Sequence, residues 1–299
     1  VVFATETLAV GINMPARTVV IEKLTKFTGE HHERLTPGEY TQLTGRAGRR
    51  GIDDLGTAVV LWSPWIRFDE VAELAFQQRR AKTGNDFLQL HLQRVVTISC
   101  VLRTSEGLKV WSLSEPEQGE GEIIQRFFDG IEKFTPQIVS WNGSGFDLPV
   151  LHYRGMLHGV AAPRYWDLGD GDYADSRDFK WNNYISRYHT RHLDLMDLLA
   201  LYNARANAPL DDLAKLFGFP GKLGMDGSKV WEAWRAGKSA DIRDYCETDV
   251  INTYLVYNRF RRLRGELTAE EETAEAGFVK AQLARIGAPH WQEFIAAWG

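Results

Sequence analysis

The sequence predicts an α/β protein. Short β-branched apolar runs alternate with stretches of helical periodicity along most of the chain. The alternation breaks near Ser63–Pro64, separating a short N-terminal α/β piece from a longer α/β body. A length of 299 residues with 44% hydrophobic residues allows about two domains with real cores.

Residues 1–62 read as strand, helix, strand, loop, helix, strand, with "VVFAT", "RTVVIEKL" and "GTAVVLW" as the strands. The second helix is "TPGEYTQLTGRAGRRG". Thr36 suits its N-cap, Pro37 its first helical position, and the run ends on glycine. Residues 65–93 are charged and read as helix or loop. "RVVTISCVLR" and "LKVWSLSE" then form a hairpin about the turn "TSEG". "GEIIQRFFDGIEKF" places Ile123, Ile124, Phe127, Phe128 and Ile131 at helical spacing. "QIVSW" is a short buried strand, Asn142–Gly145 a turn, and "DLPVLHYRGMLHG" the next helix. Residues 164–192 are irregular, aromatic and polar, and the remainder is mostly helical.

Net charge is −5 and the pI about 5.9, so no global basic field exists and any phosphate backbone must be met by local Lys/Arg clusters. The two cysteines, Cys100 and Cys246, have neither metal spacing nor a disulfide framework, which fits a reducing compartment. No apolar run approaches the roughly eighteen residues of a membrane span, and no signal-like segment opens the chain. The expectation is a soluble cytoplasmic protein with no membrane contact; composition says nothing of protein partners. The chain opens on a strand without a Met, as if cut through a domain.

Three places carry chemistry. In "SWNGSGFDLPVL" a buried strand runs into a small-residue turn, with Asp147 where the next helix begins. Asp147 reads either as an N-cap, with Pro149 in the first turn, or as a functional acid. In "DIRDYCETDVINTYLVYNRFRRLR", Ile242, Cys246, Asp249, Thr253, Val256 and Phe260 recur at helical spacing, putting Asp249 in the middle of the inward stripe. A carboxylate there is costly unless paired, bonded to backbone or bound to a metal. Tyr245, one turn earlier, shares its face. In Phe179–His192 ("FKWNNYISRYHTRH") the cations Lys180, Arg187 and Arg191 interleave with Trp181, Tyr184 and Tyr188. That composition grips a single strand by charge and stacking, or else folds as a loop with buried aromatics. Asp194 and Asp197 are further acids, Asp197 also fitting an N-cap. Lys222 and Lys229 flank a glycine-rich loop placed to touch a substrate.

"FATETLAVGINMPARTVVI" followed by "YTQLTGRAGRRGID" resembles the last motifs of the second RecA-like domain of Ski-type superfamily-two DExH helicases, over about residues 1–75. The resemblance places Thr5, Gly11 and Asn13 in the motif that touches nucleic-acid backbone. It places Gln42, Arg46 and Arg49 in the motif whose arginines reach a γ-phosphate, where a planar permanent cation suits the developing charge. No G-x-x-x-x-G-K-[ST] loop occurs in the sequence, so no ATP use is expected of this partial RecA-like segment.

"N-G-S-G-F-D" and "Y-C-E-T-D", over residues 76–299, resemble the second and third motifs of ribonuclease H-like 3'-5' exonucleases related to the proofreading domain of family B DNA polymerases, tyrosine subclass. That resemblance implies two-metal hydrolysis at the 3' end of single-stranded DNA or RNA, using two Mg²⁺ or Mn²⁺ ions. It makes Asp147 and Asp249 metal ligands and Tyr245 the residue that orients water. Asn142, Phe146, Lys180, Trp181, Tyr184, Arg187 and Tyr188 would meet the strand. The family's first motif, D-x-E, aims two carboxylates from alternate residues of a strand, and no strand-like run between Val1 and Val101 carries it. In "WIRFDEVAEL" Asp69 and Glu70 are adjacent and would face opposite ways. The expectation is a ribonuclease H-like domain incomplete at its first strand and impaired in activity.

Overall fold

The computed structural model describes residues 18–21, 24–27, 32–44, 47, 57–60, 88–114 and 119–299. The chain divides into two compact units, Val1–Leu92 and Gln93–Gly299.

In the first unit β1 (Thr18–Ile21) pairs in parallel with β4 (Thr57–Val60), and β2 (Thr25–Phe27) pairs antiparallel with β3 (His32–Arg34). Helix α1 (Pro37–Thr44) starts where Thr36 predicts. The Glu39 amide donates to Thr36 Oγ1 (3.3 Å) and the Thr36 amide to Glu39 Oε2 (2.8 Å), a reciprocal cap. Among the described residues of this unit, Ile21, Leu24, Leu35 and Tyr40 form a buried apolar cluster.

The second unit is a mixed α/β body. Strands β5 (Thr97–Thr104) and β6 (Gly107–Ser114) form the expected hairpin. Helix α2 (Glu120–Phe134) buries Ile123, Ile124, Phe128 and Ile131, as its periodicity requires. Strand β7 (Ile138–Ser140) then leads through a single π-helical turn, Gly143–Asp147, into α3 (Leu148–His158). In the irregular stretch only α4 (Ser176–Phe179) is helical. It precedes β8 (His192–Asp194), which runs parallel to β7 and which the sequence pattern did not reveal. After α5 (Leu195–Leu199), α6 (Leu210–Leu216) and α7 (Val230–Arg235) comes the organising element, α8 (Ser239–Leu263). Helices α9 (Ala269–Ile286) and α10 (Pro289–Ala296) pack on it, and together they bury Ile251, Leu255, Val256, Val279, Leu283, Trp291 and Phe294. Helix α8 also packs against β5, β6 and β7. Among the described residues the β5–β6 and β7–β8 pairs are not hydrogen-bonded to each other.

The buried face of α8 is Ile242, Thr248, Ile251, Asn252, Leu255, Val256 and Asn258. This corrects the sequence-based stripe. Asp249 lies half-buried at the margin of that face rather than at its centre.

Candidate active site

The turn that carries Asp147 is built by close approaches. Asn142 takes the left-handed conformation (φ 61°), which its short polar side chain tolerates. A Cβ on Gly143 would fall 2.6 Å from Ser140 Cβ, so that position requires glycine, whereas one on Gly145 would meet only the Asn142 side-chain oxygen at 2.3 Å, which would have to swing away. Asp194, at the end of β8, holds the turn from the neighbouring strand. Its Oδ1 accepts from the Asn142 amide (2.9 Å) and its Oδ2 from the Ser144 amide (2.8 Å). Ser140 Oγ and His192 Nε2, 2.8 Å apart, tie the same two strands. Burial holds the His192 imidazole below its usual range despite the charges of Asp194 and Asp197.

Asp147 is the last residue of this turn and stands at the N-cap position of α3, as the sequence allows, but its side chain makes no capping bond, so its carboxylate is not used by the helix end. Its carboxyl is pushed up to about 6, by the protein crowded around it and then by the negative charges of Asp194 and Asp249. The residue is nonetheless exposed by surface area. Exposure governs its access, and crowding with neighbouring acids gives the direction of the shift.

Asp249 and Tyr245 stand one turn apart on α8. Asp249 Oδ1 is buried and has no hydrogen-bond partner, a costly state for a carboxylate. Burial holds this carboxyl above its usual range, against the opposing pull of the Lys222 ammonium and the Tyr245 hydroxyl. Tyr245 is itself raised, by burial and then by the Asp249 charge. Lys222 Nζ lies 5.6 Å from the Tyr245 ring. Two side chains pin the loop that presents it: Asn252 exchanges bonds with the Gly221 backbone (3.2 and 2.9 Å), and Asp211 Oδ1 accepts from the Lys222 amide (2.7 Å). Of the two lysines flanking the loop, Lys222 is the one whose charge bears on Asp249. Lys229 pairs with Asp226 (3.4 Å) and donates to the Gly224 carbonyl.

The basic aromatic segment divides into surface and core. Trp181 (76% exposed) and Tyr188 (73%) stand in solvent, with Lys180 Nζ 5.4 Å from the Trp181 ring. Tyr184 is only 2% exposed, stacks on Tyr165 and donates to the Pro136 carbonyl, so no base can stack on it. Arg191 packs on the Phe179 ring at 3.9 Å. Arg187 pairs with Asp197 (3.0 Å), and the N-cap of α5 is Asp194 rather than Asp197. A cleft of about 230 Å³ beside the turn is lined by Ser144, Arg187, Tyr188, Tyr202 and Arg264 among others. Asn142 serves the turn through its backbone, and Phe146, in the turn itself, is half-buried. Thr5, Gly11, Asn13, Arg46 and Arg49 lie outside the described residues, and the Gln42 side chain is not described although α1 includes it.

Sequence reasoning missed the clamp role of Asp194. The acid-x-x-acid spacing of Asp194 and Asp197 before "LLALY" carried a cap signal, but which acid used it depends on a strand too short to detect.

In this mixed α/β body a strand-end turn and a long helix each carry an acid held above its usual range, Asp147 and Asp249, an arrangement consistent with a nuclease-like domain. Residues 85–298 match the model of a family described as predicted 3'-5' exonucleases related to the exonuclease domain of PolB, and the chain belongs to that family. Its N-terminal part is similar to helicases. It is 76% identical over 74 residues to the probable helicase HelY of Mycobacterium tuberculosis, covering 25% of this chain and 8% of that protein. It is 61% identical over 61 residues to the DExH-box ATP-dependent RNA helicase DExH11 of Arabidopsis thaliana, covering 20% and 4%. To human Superkiller complex protein 2 it is 53% identical over 74 residues, covering 25% and 6%. The chain therefore spans under a tenth of the length of these relatives. Among the described residues no helix is long and apolar enough to cross a membrane.

Proposed function

We propose that residues 76–299 are a ribonuclease H-like, metal-dependent 3'-5' exonuclease domain acting on single-stranded nucleic acid, and that residues 1–75 are part of a second RecA-like helicase domain. The observation that carries the nuclease reading is the bare, buried Asp249 Oδ1 facing an environment that also presses the Asp147 carboxyl upward. Unneutralised carboxylate oxygens are the donor set that hard divalent cations fit. Asp147 and Asp249 would hold Mg²⁺ or Mn²⁺, and the bound metal supplies Lewis acidity for an attacking water and a leaving oxygen. Tyr245 would orient that water through its hydroxyl. Lys222, poised over Tyr245, would offset phosphate charge, and Trp181, Tyr188, Lys180 and Arg187 would carry the strand toward the site.

The reading includes impairment. Asp194, the third acid nearby, is occupied by backbone amides, so among the described residues this reading has two carboxylates where the D-x-E motif would make four. That the β5–β6 and β7–β8 pairs are not joined to each other among the described residues is in keeping with that reading. Few ligands mean weak Mg²⁺ binding, because the ion keeps its waters. The test is digestion of 5'-labelled single-stranded DNA with Mg²⁺ or Mn²⁺. The chain should digest slowly or not at all. Replacing residues 1–75 with a strand bearing D-x-E should restore 3'-5' digestion, and Asp249→Ala should abolish it. Full-rate digestion by the unaltered chain overturns the impairment; no digestion after the replacement overturns the nuclease reading. A second reading, a nucleic-acid-binding module without catalysis, is favoured by the exposed Trp181 and Tyr188, and retained strand binding with no digestion in every variant would select it. ATP turnover lost on Arg49→Ala would instead favour helicase chemistry.

A further inference from the structure

On the side of α8 away from Tyr245 and Asp249, three ligand-type side chains converge. At about 100° per residue, Asp244 and Glu247 share a helix face roughly opposite that pair, and His290, near the start of α10, lies between them. One ligand atom from each of the three lies within 4.8 Å of the other two. His290 Nε2 is 3.0 Å from Glu247 Oε2, and Nδ1 is 3.5 Å from Asp244 Oδ2. The His290 and Glu247 side chains are each 13% exposed.

The outer oxygens of the two acids are already engaged. Glu247 Oε1 accepts from Ser112 Oγ (2.7 Å), which shares a further bond with Ser99 Oγ (2.8 Å). Asp244 Oδ1 accepts from Arg243 (3.0 Å). These contacts hold the carboxylates so that Oδ2 and Oε2 face the imidazole. His290 Nδ1 is buried and makes no hydrogen bond, its approach to Asp244 notwithstanding. A buried nitrogen lone pair or proton without a partner is rare unless something else satisfies it.

We propose that Asp244, Glu247 and His290 form a site for a divalent transition ion of the Zn²⁺ or Mn²⁺ class, distinct from the acids Asp147 and Asp249. One imidazole nitrogen with two carboxylate oxygens suits borderline ions better than Ca²⁺ or Mg²⁺, which prefer all-oxygen sets. The ring must be neutral to donate, so binding displaces any proton that His290 shares with the two acids. The ion would fasten α10 to α8, with Ser112 holding the hairpin to the same point.

The test uses the full chain carrying D147N and D249N, so that ions at the other acids do not count. Calorimetric titration with Zn²⁺ and with Mn²⁺, and Co²⁺ absorption as a ligand-field probe, should each show one bound ion. Adding H290N should weaken binding roughly tenfold or more and remove the Co²⁺ band. No ion bound by the D147N/D249N chain overturns the site, and so does binding that H290N leaves unchanged. If H290N fails to fold by circular dichroism, E247Q decides alone: a comparable loss supports the site, and unchanged binding means that the three side chains are only an ion-pair network.

Discussion

Two carboxylates of the same body, Glu120 and Asp249, have opposite surroundings. Glu120, in the first turn of α2, is buried and saturated: Arg154 meets it through two bonds (2.7 and 2.5 Å), His158 through one (2.8 Å), and the Val95 amide through another (2.8 Å). Burial alone would raise its carboxyl, but Arg154, Val95 and His158 overcome that and hold it below the usual glutamate range. Asp249 has a bare buried oxygen and is held above its usual range. The first acid joins α2, α3 and the entry to β5. The second is left costly to ionise, which is how a group kept for a ligand differs from one kept for stability.

The sharpest break of this comparison is Arg154→Met. Leaving Glu120 charged and half-partnered should destabilise the second unit by about 3–5 kcal/mol, a fall in Tm on the order of 10 °C. Glu120→Gln in the Arg154→Met background should recover most of that. Asp249→Asn should leave thermal stability within about 0.5 kcal/mol of the parent or raise it, because the bare Oδ1 loses no hydrogen bond and the buried charge is removed. A large loss in Asp249→Asn would make Asp249 a structural acid like Glu120.

The pH dependence sharpens the same contrast. Glu120 is lowered in the folded state, so its stabilisation is complete above the ordinary glutamate value and is lost as pH falls through its lowered folded value. The Tm gap between parent and Glu120→Gln should therefore be large at pH 7 and shrink as pH falls below the ordinary glutamate range. A gap that stays constant across that range would mean that Glu120 acts through packing rather than charge.

Much of this was legible in the sequence where local rules suffice. The hairpin of β5 and β6, the apolar face of α2 and the Thr36–Glu39 cap each follow from spacing within a few residues. The placement of Asp147 at a strand-end turn and of Asp249 beside Tyr245 on a long helix was reachable through motif and helix face. What escaped was set by contacts distant in sequence. Strand β8 has three residues and exists because β7 pairs with it. Tyr184 is inside because Tyr165 and Phe179 surround it, which no local alternation of cation and aromatic encodes. The inward face of α8 sits one step from the inferred stripe because it is covered from several sides by α6, α9, α10 and the strands, so polar Thr248 and Asn252 are buried with it.

Asp194 offers an intermediate test, since it is buried like Glu120 but neutralised by amides alone. Asp194→Asn keeps its shape and presents one acceptor oxygen where two were used, so the Asn142 or Ser144 amide loses its partner. An unsatisfied buried donor costs about 1–3 kcal/mol, and the turn that aims Asp147 should loosen with it. The check is a melting curve together with amide exchange at Asn142 and Ser144. Unchanged protection at both amides would show that Gly143, Gly145 and the Ser140–His192 bond fix the turn without Asp194.

The smallest expected effect lies in the basic aromatic segment, where the comparison becomes one of surface against core. Trp181 projects into solvent beside Lys180, and Tyr184, three residues on, lies within the fold. A base stacked on an exposed aromatic contributes about 1 kcal/mol at the low end, so Trp181→Ala should weaken single-stranded DNA binding roughly fivefold. Its melting temperature should not move, because the side chain buries little. Tyr184→Phe removes only the bond to the Pro136 carbonyl, leaving that acceptor unpaired, and should lower stability by about 1 kcal/mol while strand affinity holds. Fluorescence anisotropy with a labelled oligonucleotide, read beside thermal melts of both variants, separates the two outcomes. If Tyr184→Phe weakens binding and Trp181→Ala does not, the strand does not cross this surface, and the cleft lined by Arg187, Tyr202 and Arg264 becomes its path.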